Sequence, residues 1–192
     1  MAKRDSVILR RRRVIVFSFE GKANKTESLY FDHFCASNNQ YILKQFSSGA
    51  NDPEKIIRET KAKRTDFDYN ASEDLTFIFL DGDCDKDKIA KIEQLSQKLP
   101  KDIKIILSNP CFEVWYLNHF EKYGRILNSQ QVINELRKYI PSYIKTYDAY
   151  PKLNELRNEA IKNTQFQNKL DNEHCSTGVF ELFTKNLIKD CE

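Results

Sequence analysis

The sequence predicts an α/β fold in which helices cover both faces of a parallel β-sheet. Three short apolar runs, at residues 14–19, 75–80 and 103–107, lack the apolar–polar alternation of a half-exposed strand. Unbroken runs of this kind are typical of strands that are buried on both faces. A weaker run lies at residues 41–46. Helical patterns separate the runs, and this alternation of strand and helix indicates a parallel sheet.

Each connection between these strands carries a helix signal. Residues 26–34 begin with a Thr and place Leu and aromatic side chains on one broad face. Pro53 occupies the favoured first turn of a second helix. A third helix is predicted over residues 87–99, where Ile and Leu recur at helical spacing and a proline follows. Asn109 can cap a fourth helix that has Pro110 at its first position.

Beyond residue 128 the strand signal is lost. Apolar side chains at helical spacing predict three further helices, at about residues 132–140, 151–170 and 177–188. We therefore expect a four-stranded parallel sheet flanked by helices, with a helical C-terminal extension packed on it. The expected divisions are a basic arm at residues 1–12, an α/β domain at residues 13–122 and the extension at residues 123–192.

The positive charge of the chain is concentrated near its N-terminus. Residues 1–25 hold eight Lys and Arg residues and two acids, whereas the remainder holds 23 basic and 26 acidic groups. Four consecutive arginines at residues 10–13 form the centre of this basic arm, and such arms can neutralise phosphates. Arg11 and Arg12 are therefore candidate nucleic-acid contacts. A solubilising terminus, or a set of charges that guards the first apolar strand, is the alternative interpretation.

Cysteine content and hydropathy bear on the cellular compartment. The chain holds five cysteines, with no C-x-x-C pair, and three histidines, and their spacing does not match a zinc site. Reduced thiols fit the cytoplasm. No apolar run approaches 18 residues, and the run at residues 14–19 is too short for the core of a signal peptide. We expect a cytoplasmic protein that has no membrane partner.

Polar residues follow the strong strands at the points where the strands end. These positions hold Glu20-Gly21, Asp81-Gly82-Asp83 and Ser108-Asn109. In a parallel sheet, ligands bind at this edge. Asp81 and Asp83 would point the same way in extended backbone and would repel each other unless a cation lay between them. Carboxylates with no nearby His or Cys select Mg²⁺ or Mn²⁺, so Glu20, Asp81 and Asp83 form a candidate metal site. A solvated Asp-Gly turn that caps the next helix is the alternative.

Four sequence strings at these positions carry a resemblance to a known family. They are FEG at residues 19–21, KTESLYF at residues 25–31, LDGD at residues 80–83 and SNPCFEVWYLNHF at residues 108–120. Together they resemble the RloB-like proteins, which are small bacterial Toprim-domain proteins associated with restriction and phage-defence loci. The last string is the most specific. The similarity covers roughly residues 14–121, and Ser176-Thr177 followed by an apolar helix resembles the C-terminal end of the family. Residues 22–24 make the spacing between Glu-Gly and Thr-Glu longer than the family usually shows, which leaves the place of Glu27 open.

The resemblance implies a Toprim-like sheet and a divalent-metal phosphodiester chemistry in which Glu20, Asp81 and Asp83 form the acidic set. Such an ion can stabilise charge on a phosphate and activate a water molecule. Glu113, about one turn into the fourth helix, is a further catalytic candidate, although a first-turn acid also interacts favourably with the helix dipole.

The same edge of the sheet supplies candidate substrate-binding residues, and these are Gly21, Glu27, Ser108 and Asn109, with simple helix capping as the alternative for Asn109. His119 is expected to be a packed helix histidine. Lys145 and Tyr147 in the extension are expected on a solvated surface, with contact to a phosphate as the alternative.

The expected function is that of a Mg²⁺- or Mn²⁺-dependent nuclease or phosphodiesterase in bacterial anti-phage defence, of the abortive-infection type. RNA is slightly favoured over DNA because so small a chain shows no duplex-clamping domain. One alternative is a non-catalytic nucleotide- or metal-sensing subunit that works with a defence-system ATPase or a restriction-locus protein. Another is a phosphodiesterase of small signalling nucleotides. The oligomeric state is not indicated.

Overall fold

One five-stranded sheet organises the fold. The computed structural model describes residues 11–34, 41–123, 128–165 and 174–188. The strands are β1 (Arg13–Phe19), β2 (Tyr41–Ser47), β3 (Leu75–Asp81), β4 (Ile103–Asn109) and β5 (Ser176–Thr177). Their order in the sheet is β2-β1-β3-β4-β5. The first four strands run parallel, and β5 pairs antiparallel with the end of β4. The fold is therefore mixed α/β with a mostly parallel sheet, as the sequence predicts.

Eight α-helices and two 3₁₀ turns surround the sheet in the described ranges. The helices are α1 (Thr26–Asp32), α2 (Pro53–Lys63), α3 (Lys86–Gln97), α4 (Glu113–Leu117), α5 (Ser129–Leu136), α6 (Tyr150–Leu153), α7 (Arg157–Gln165) and α8 (Phe180–Thr184). The 3₁₀ turns are Arg64–Phe67 and Asn154–Leu156. Within these ranges, the helices are too short or too polar to cross a membrane.

The central strands are buried on both faces because two different layers cover them. Phe77 and Phe79 of β3 belong to a large aromatic core, which also receives Trp115 from α4. The alternate residues Ile78 and Leu80 belong to an aliphatic core with side chains of α2 and α3. Successive strand residues point to opposite faces, so an unbroken apolar run supplies both cores. This burial explains why β1, β3 and β4 read as continuous runs in the sequence.

The C-terminal helices share the aromatic core with the sheet. Leu136, Tyr143, Leu153 and Leu182 are buried in the same cluster as Phe17 of β1. The C-terminal part of the chain also supplies β5, whose Thr177 hydroxyl lies 2.7 Å from that of Ser108 on β4. The expectation of four strands was wrong in this respect. A two-residue strand is too short to produce a periodic or apolar signal.

Two helix boundaries are set by aspartate caps, and a third helix starts later than expected. Asp52 accepts a hydrogen bond from the Lys55 N–H at 3.0 Å and places Pro53 at the first position of α2, as predicted. Asp85 caps α3. The expected cap of the fourth helix was wrong: Asn109 is the last residue of β4, its peptide bond to Pro110 is cis, and α4 begins only at Glu113.

The helices expected over residues 151–170 and 177–188 are shorter in the structure. Within the first range, α6 is followed by a 3₁₀ turn and then by α7, and residues 166–170 lie outside the described ranges. In the second range, the chain first forms β5, and α8 begins at Phe180. Pairing with β4 therefore takes precedence over helix formation at Thr177.

Candidate active site at the carboxyl ends of the strands

Glu20 lies where β1 ends and connects two neighbouring strands. Its own N–H continues the β1–β3 pairing by donating to the Phe79 carbonyl at 3.3 Å. Its carboxylate Oε2 accepts a hydrogen bond from the Asp81 backbone N–H at 3.1 Å. Its Oε1 accepts one from the Lys88 ammonium at 3.0 Å. Only 13% of the Glu20 side chain is exposed, so both carboxylate oxygens are committed to partners inside the site.

Asp83 shares the Lys88 ammonium with Glu20, and the distance from Nζ to Asp83 Oδ2 is 2.7 Å. The expectation of extended backbone from Asp81 to Asp83 was wrong. The strand ends at Asp81, and Asp83 and Cys84 adopt left-handed backbone with φ of 54° and 58°. Asp83 is therefore exposed, whereas Asp81 is partly buried.

The loop between Asp81 and Asp83 is fixed by the end of β4. The Gly82 N–H donates to the Ser108 carbonyl at 2.7 Å. The Asn109 side chain accepts from the Cys84 N–H at 2.9 Å and donates to the His174 carbonyl at 3.0 Å. A Cβ on Gly82 would lie 2.8 Å from Asn109 Oδ1, so this close approach requires glycine. Ser108 and Asn109 are buried, and the Ser108 carbonyl and the Asn109 side chain hold the loop.

Glu113 is a buried carboxylate held by groups from distant parts of the chain. Its Oε1 accepts hydrogen bonds from the Thr26 hydroxyl at 2.9 Å and from the Tyr143 hydroxyl at 3.0 Å. The Lys145 ammonium lies 3.6 Å from the same oxygen. Glu113 is only 1% exposed, which distinguishes it from a solvent-facing acid that interacts with the helix dipole alone.

Glu20, Glu27, Asp81 and Glu113 form an acid cluster in which each charge affects the others. Burial raises the pKa of Asp81 well above its usual value, and the carboxylates of Glu27, Glu113 and Glu20 raise it further. Burial and the Glu113 carboxylate raise the pKa of Glu27 to about 7. Lys145 acts in the opposite direction on both groups. The longer spacing at residues 22–24 therefore does not remove Glu27 from the site.

The raised pKa of Glu27 predicts a pH-dependent stability. A carboxyl group that is more basic in the folded state stabilises the fold fully below about pH 4.5, and this contribution is lost as the pH rises through about 7. In metal-free buffer, Glu27→Gln should remove about 1–2 kcal/mol of that decline, allowing for partial exposure. Urea unfolding at several pH values measures the free energy of unfolding of wild type and variant. Parallel profiles for wild type and variant would contradict the assignment.

The remaining predicted residues are not members of the acid cluster. Gly21 turns the chain after β1 with a φ of 79°, and its N–H donates to the Ala50 carbonyl. Arg11 and Arg12 precede β1, so they lie at the opposite end of that strand from Glu20. The Arg11 guanidinium binds both carboxylate oxygens of the buried Asp74, at 2.9 and 2.8 Å. Residues 1–10 lie outside the described ranges, and nucleic-acid contact by the arm stays a prediction.

His119 is a packed histidine, as expected. Its Nδ1 lies 2.8 Å from the Trp115 carbonyl, and burial lowers its pKa to about 4. The imidazole is therefore neutral near pH 7 and sits inside the helical layer.

Three residues of the site were missed by the sequence interpretation, and they are Thr26, Tyr143 and Lys88. Thr26 reads as a helix start and Tyr143 gave no signal, and only the tertiary structure brings their hydroxyls to Glu113. Lys145 is exposed, as expected, and its ammonium also lies 3.6 Å from the Glu113 carboxylate, at the edge where phosphate contact was the alternative. Lys88 gave no signal because a helix rich in lysine does not reveal which side chain turns inward.

The donors at this edge fit a hard divalent cation. The proposed ligands Glu20, Asp81 and Asp83 offer carboxylate oxygens, which Mg²⁺ and Mn²⁺ prefer. Glu20 and Asp83 already converge on one cationic group, the Lys88 ammonium, which stands in for an ion between them. Across the described part of the chain, no three His, Cys, Asp or Glu side chains are gathered closely enough to hold a metal ion as they stand. Binding through Asp81 as well would need side-chain rearrangement.

A family match spans most of the chain. The model of the RloB-like protein family matches residues 15–185. The match includes the whole acid cluster and also reaches Tyr143 and Lys145, well beyond the strings that carry the resemblance in the sequence. No curated protein and no solved structure matches the chain.

Proposed function

Because the chain belongs to the RloB-like family, we propose that it is a Toprim-class nuclease or related phosphodiesterase that depends on Mg²⁺ or Mn²⁺. The observation that carries this proposal is the acid cluster, in which carboxylates from four separate elements meet at the carboxyl edge of the sheet. Burial and mutual repulsion raise the pKa of Asp81, and a nearby cation would relieve that repulsion.

Glu20, Asp81 and Asp83 are the residues that would hold the ion. When bound, it would supply stabilisation of charge on a scissile phosphate and a more acidic water molecule. Glu27 has a pKa of about 7, so it can hold or release a proton near neutral pH, as general acid–base catalysis requires. The Lys145 side chain is 44% exposed at the edge of the cluster, where its ammonium can pair with a phosphate oxygen.

Glu113 is a buried carboxylate that positions another group of the site. The hydroxyls of Thr26 and Tyr143 fix its Oε1. The same oxygen faces the Lys145 ammonium, so Glu113 can orient that ammonium towards a substrate phosphate. The connection between α5 and α6, which carries Tyr143 and Lys145, thereby contributes to a site that is otherwise built by the strand ends and by α1, α3 and α4.

The proposed substrate is nucleic acid, with RNA slightly favoured over DNA. A role in bacterial anti-phage defence, with a defence-system ATPase or a restriction-locus protein as partner, follows from the family resemblance and belongs to the same proposal. The proposed compartment is the cytoplasm.

The experiment that tests this function is a cleavage panel. The purified protein is incubated with Mg²⁺ or Mn²⁺ and with transfer RNA, single-stranded and double-stranded DNA, and small cyclic nucleotides. We expect cleavage of at least one polymer, and none when a chelator replaces the metal. Cleavage of the cyclic nucleotides alone would support the signalling-nucleotide alternative. If no substrate is cleaved, the result would contradict an enzymatic function and favour a non-catalytic sensing subunit.

A further inference from the structure

Lys88 is held between two carboxylates by the first turn of α3. Asp85 accepts hydrogen bonds from the backbone N–H groups of Asp87 and Lys88, at 2.9 and 3.0 Å, and so fixes the start of the helix. From this position the Lys88 ammonium lies 3.0 Å from Glu20 Oε1 and 2.7 Å from Asp83 Oδ2. Only 15% of the side chain is exposed.

The neighbouring lysine on the same helix differs in both respects. Lys91 pairs with Asp52 at 2.9 Å and with Glu54 at 3.6 Å, and both acids lie at the start of α2 and are not members of the acid cluster. Its side chain is 41% exposed, and exposed pairs of this kind contribute little. Lys88 is therefore distinguished by its burial and by the identity of its partners, which are two of the three proposed metal ligands.

We propose that Lys88 is the resident counter-ion of the metal site: its ammonium holds Glu20 and Asp83 together in the metal-free protein and leaves them when a divalent ion binds. The inference rests on the proposed function, because it requires that these carboxylates take a metal. Two positive groups cannot share the same carboxylate oxygens at hydrogen-bond distance, since their repulsion at this separation is strong in a partly buried site.

Two consequences follow for metal binding. The ion must replace two charge-assisted hydrogen bonds, so the wild-type affinity is lower than the carboxylates alone would give. Monovalent cations bring no more charge than the ammonium they would displace, so Lys88 also disfavours their binding. The lysine thus sets the divalent-ion concentration at which the site fills.

Calorimetric titration of Mn²⁺ into the metal-free protein tests the proposal. Lys88→Met keeps the length of the aliphatic stem and removes the charge, and we expect it to bind Mn²⁺ about tenfold more tightly than wild type or better, because a unit charge within a few ångströms of the ligands is gone. Lys88→Arg retains the charge and should show no such gain. Lys91→Met, which removes the same charge from the same helix, should leave the affinity within about twofold of wild type.

Equal or weaker Mn²⁺ binding by Lys88→Met, with wild-type binding intact, would overturn the Lys88 inference and leave the proposed function standing. Absence of Mn²⁺ binding in both proteins would overturn both. If Lys88→Met does not fold, lysine acetylation of the wild type, followed by mass spectrometry, decides the question. Lys88 should become more reactive when Mn²⁺ is added, whereas Lys91 should not change. Equal protection of Lys88 with and without bound Mn²⁺ would overturn the inference.

Discussion

Asp81→Asn should abolish divalent-ion binding and at the same time make the metal-free protein more stable. Asp81 carries the carboxyl group whose pKa is raised by burial and by three neighbouring acids, so its ionised form costs folding free energy at neutral pH. Asparagine removes that charge and keeps the backbone N–H that donates to Glu20. Because the number of charged ligands sets ion affinity, we expect a loss on the order of 100-fold or more.

The opposite signs of these two effects make the result specific. A residue that served only the fold would lose stability on substitution, and a solvated acid would change neither property. Asp87→Asn is the matched control, since Asp87 is an exposed acid in the first turn of α3. Mn²⁺ calorimetry and urea unfolding measure both quantities. Wild-type affinity in Asp81→Asn, or a less stable metal-free protein, would contradict the assignment.

Glu113→Gln should lower turnover by on the order of 10²–10⁴-fold, the range for a positioned acid–base group, with little change in melting temperature. The glutamine amide oxygen can accept the hydrogen bonds that the Thr26 and Tyr143 hydroxyls donate, so the local structure persists. What disappears is the negative charge 3.6 Å from the Lys145 ammonium. A first-turn acid that acted only through the helix dipole would change stability by about 0.3–1 kcal/mol and leave turnover intact.

Tyr143→Phe separates the effect of the Glu113 charge from the effect of the hydrogen bond that Tyr143 donates to it. This variant removes one hydroxyl donor but keeps the carboxylate and its bond to Thr26, and we expect it to cost about 1 kcal/mol of stability, as one lost hydrogen bond does. Its turnover should fall less than that of Glu113→Gln. The measurement is turnover at saturating Mg²⁺ on the best substrate of the cleavage panel. Wild-type turnover in Glu113→Gln would make Glu113 structural.

The central strands could be predicted from the sequence because burial on both faces leaves a local trace. Residues 14–19 and 75–80 are unbroken apolar runs, and the observed strands Arg13–Phe19 and Leu75–Asp81 differ from them by one residue. The carboxyl edge then follows from parallel pairing. The meeting of Glu20 with Asp81 is thus a consequence of topology, and their backbone–side-chain hydrogen bond confirms that they are neighbours.

The remaining features depend on tertiary contacts that leave no local trace. The two residues of β5 acquire a strand conformation only by pairing with β4. Asn109 resembles a helix cap in the sequence, but its side chain is used to hold the loop at Gly82. Lys88 has a long flexible side chain, and its partners lie on other elements or across a turn. Such pairs become visible only when the strand ends have been placed in space.

The rate of phosphodiester cleavage at saturating Mg²⁺ tests the central claim most directly, when it is measured on the polymer that the panel selects for wild type, Asp81→Asn and Asp87→Asn. Wild type and Asp87→Asn are expected to cleave at similar rates. Asp81→Asn is expected to be inactive, as is wild type in the presence of a chelator. Cleavage that persists both in Asp81→Asn and after chelation would contradict a metal-dependent site at this edge of the sheet.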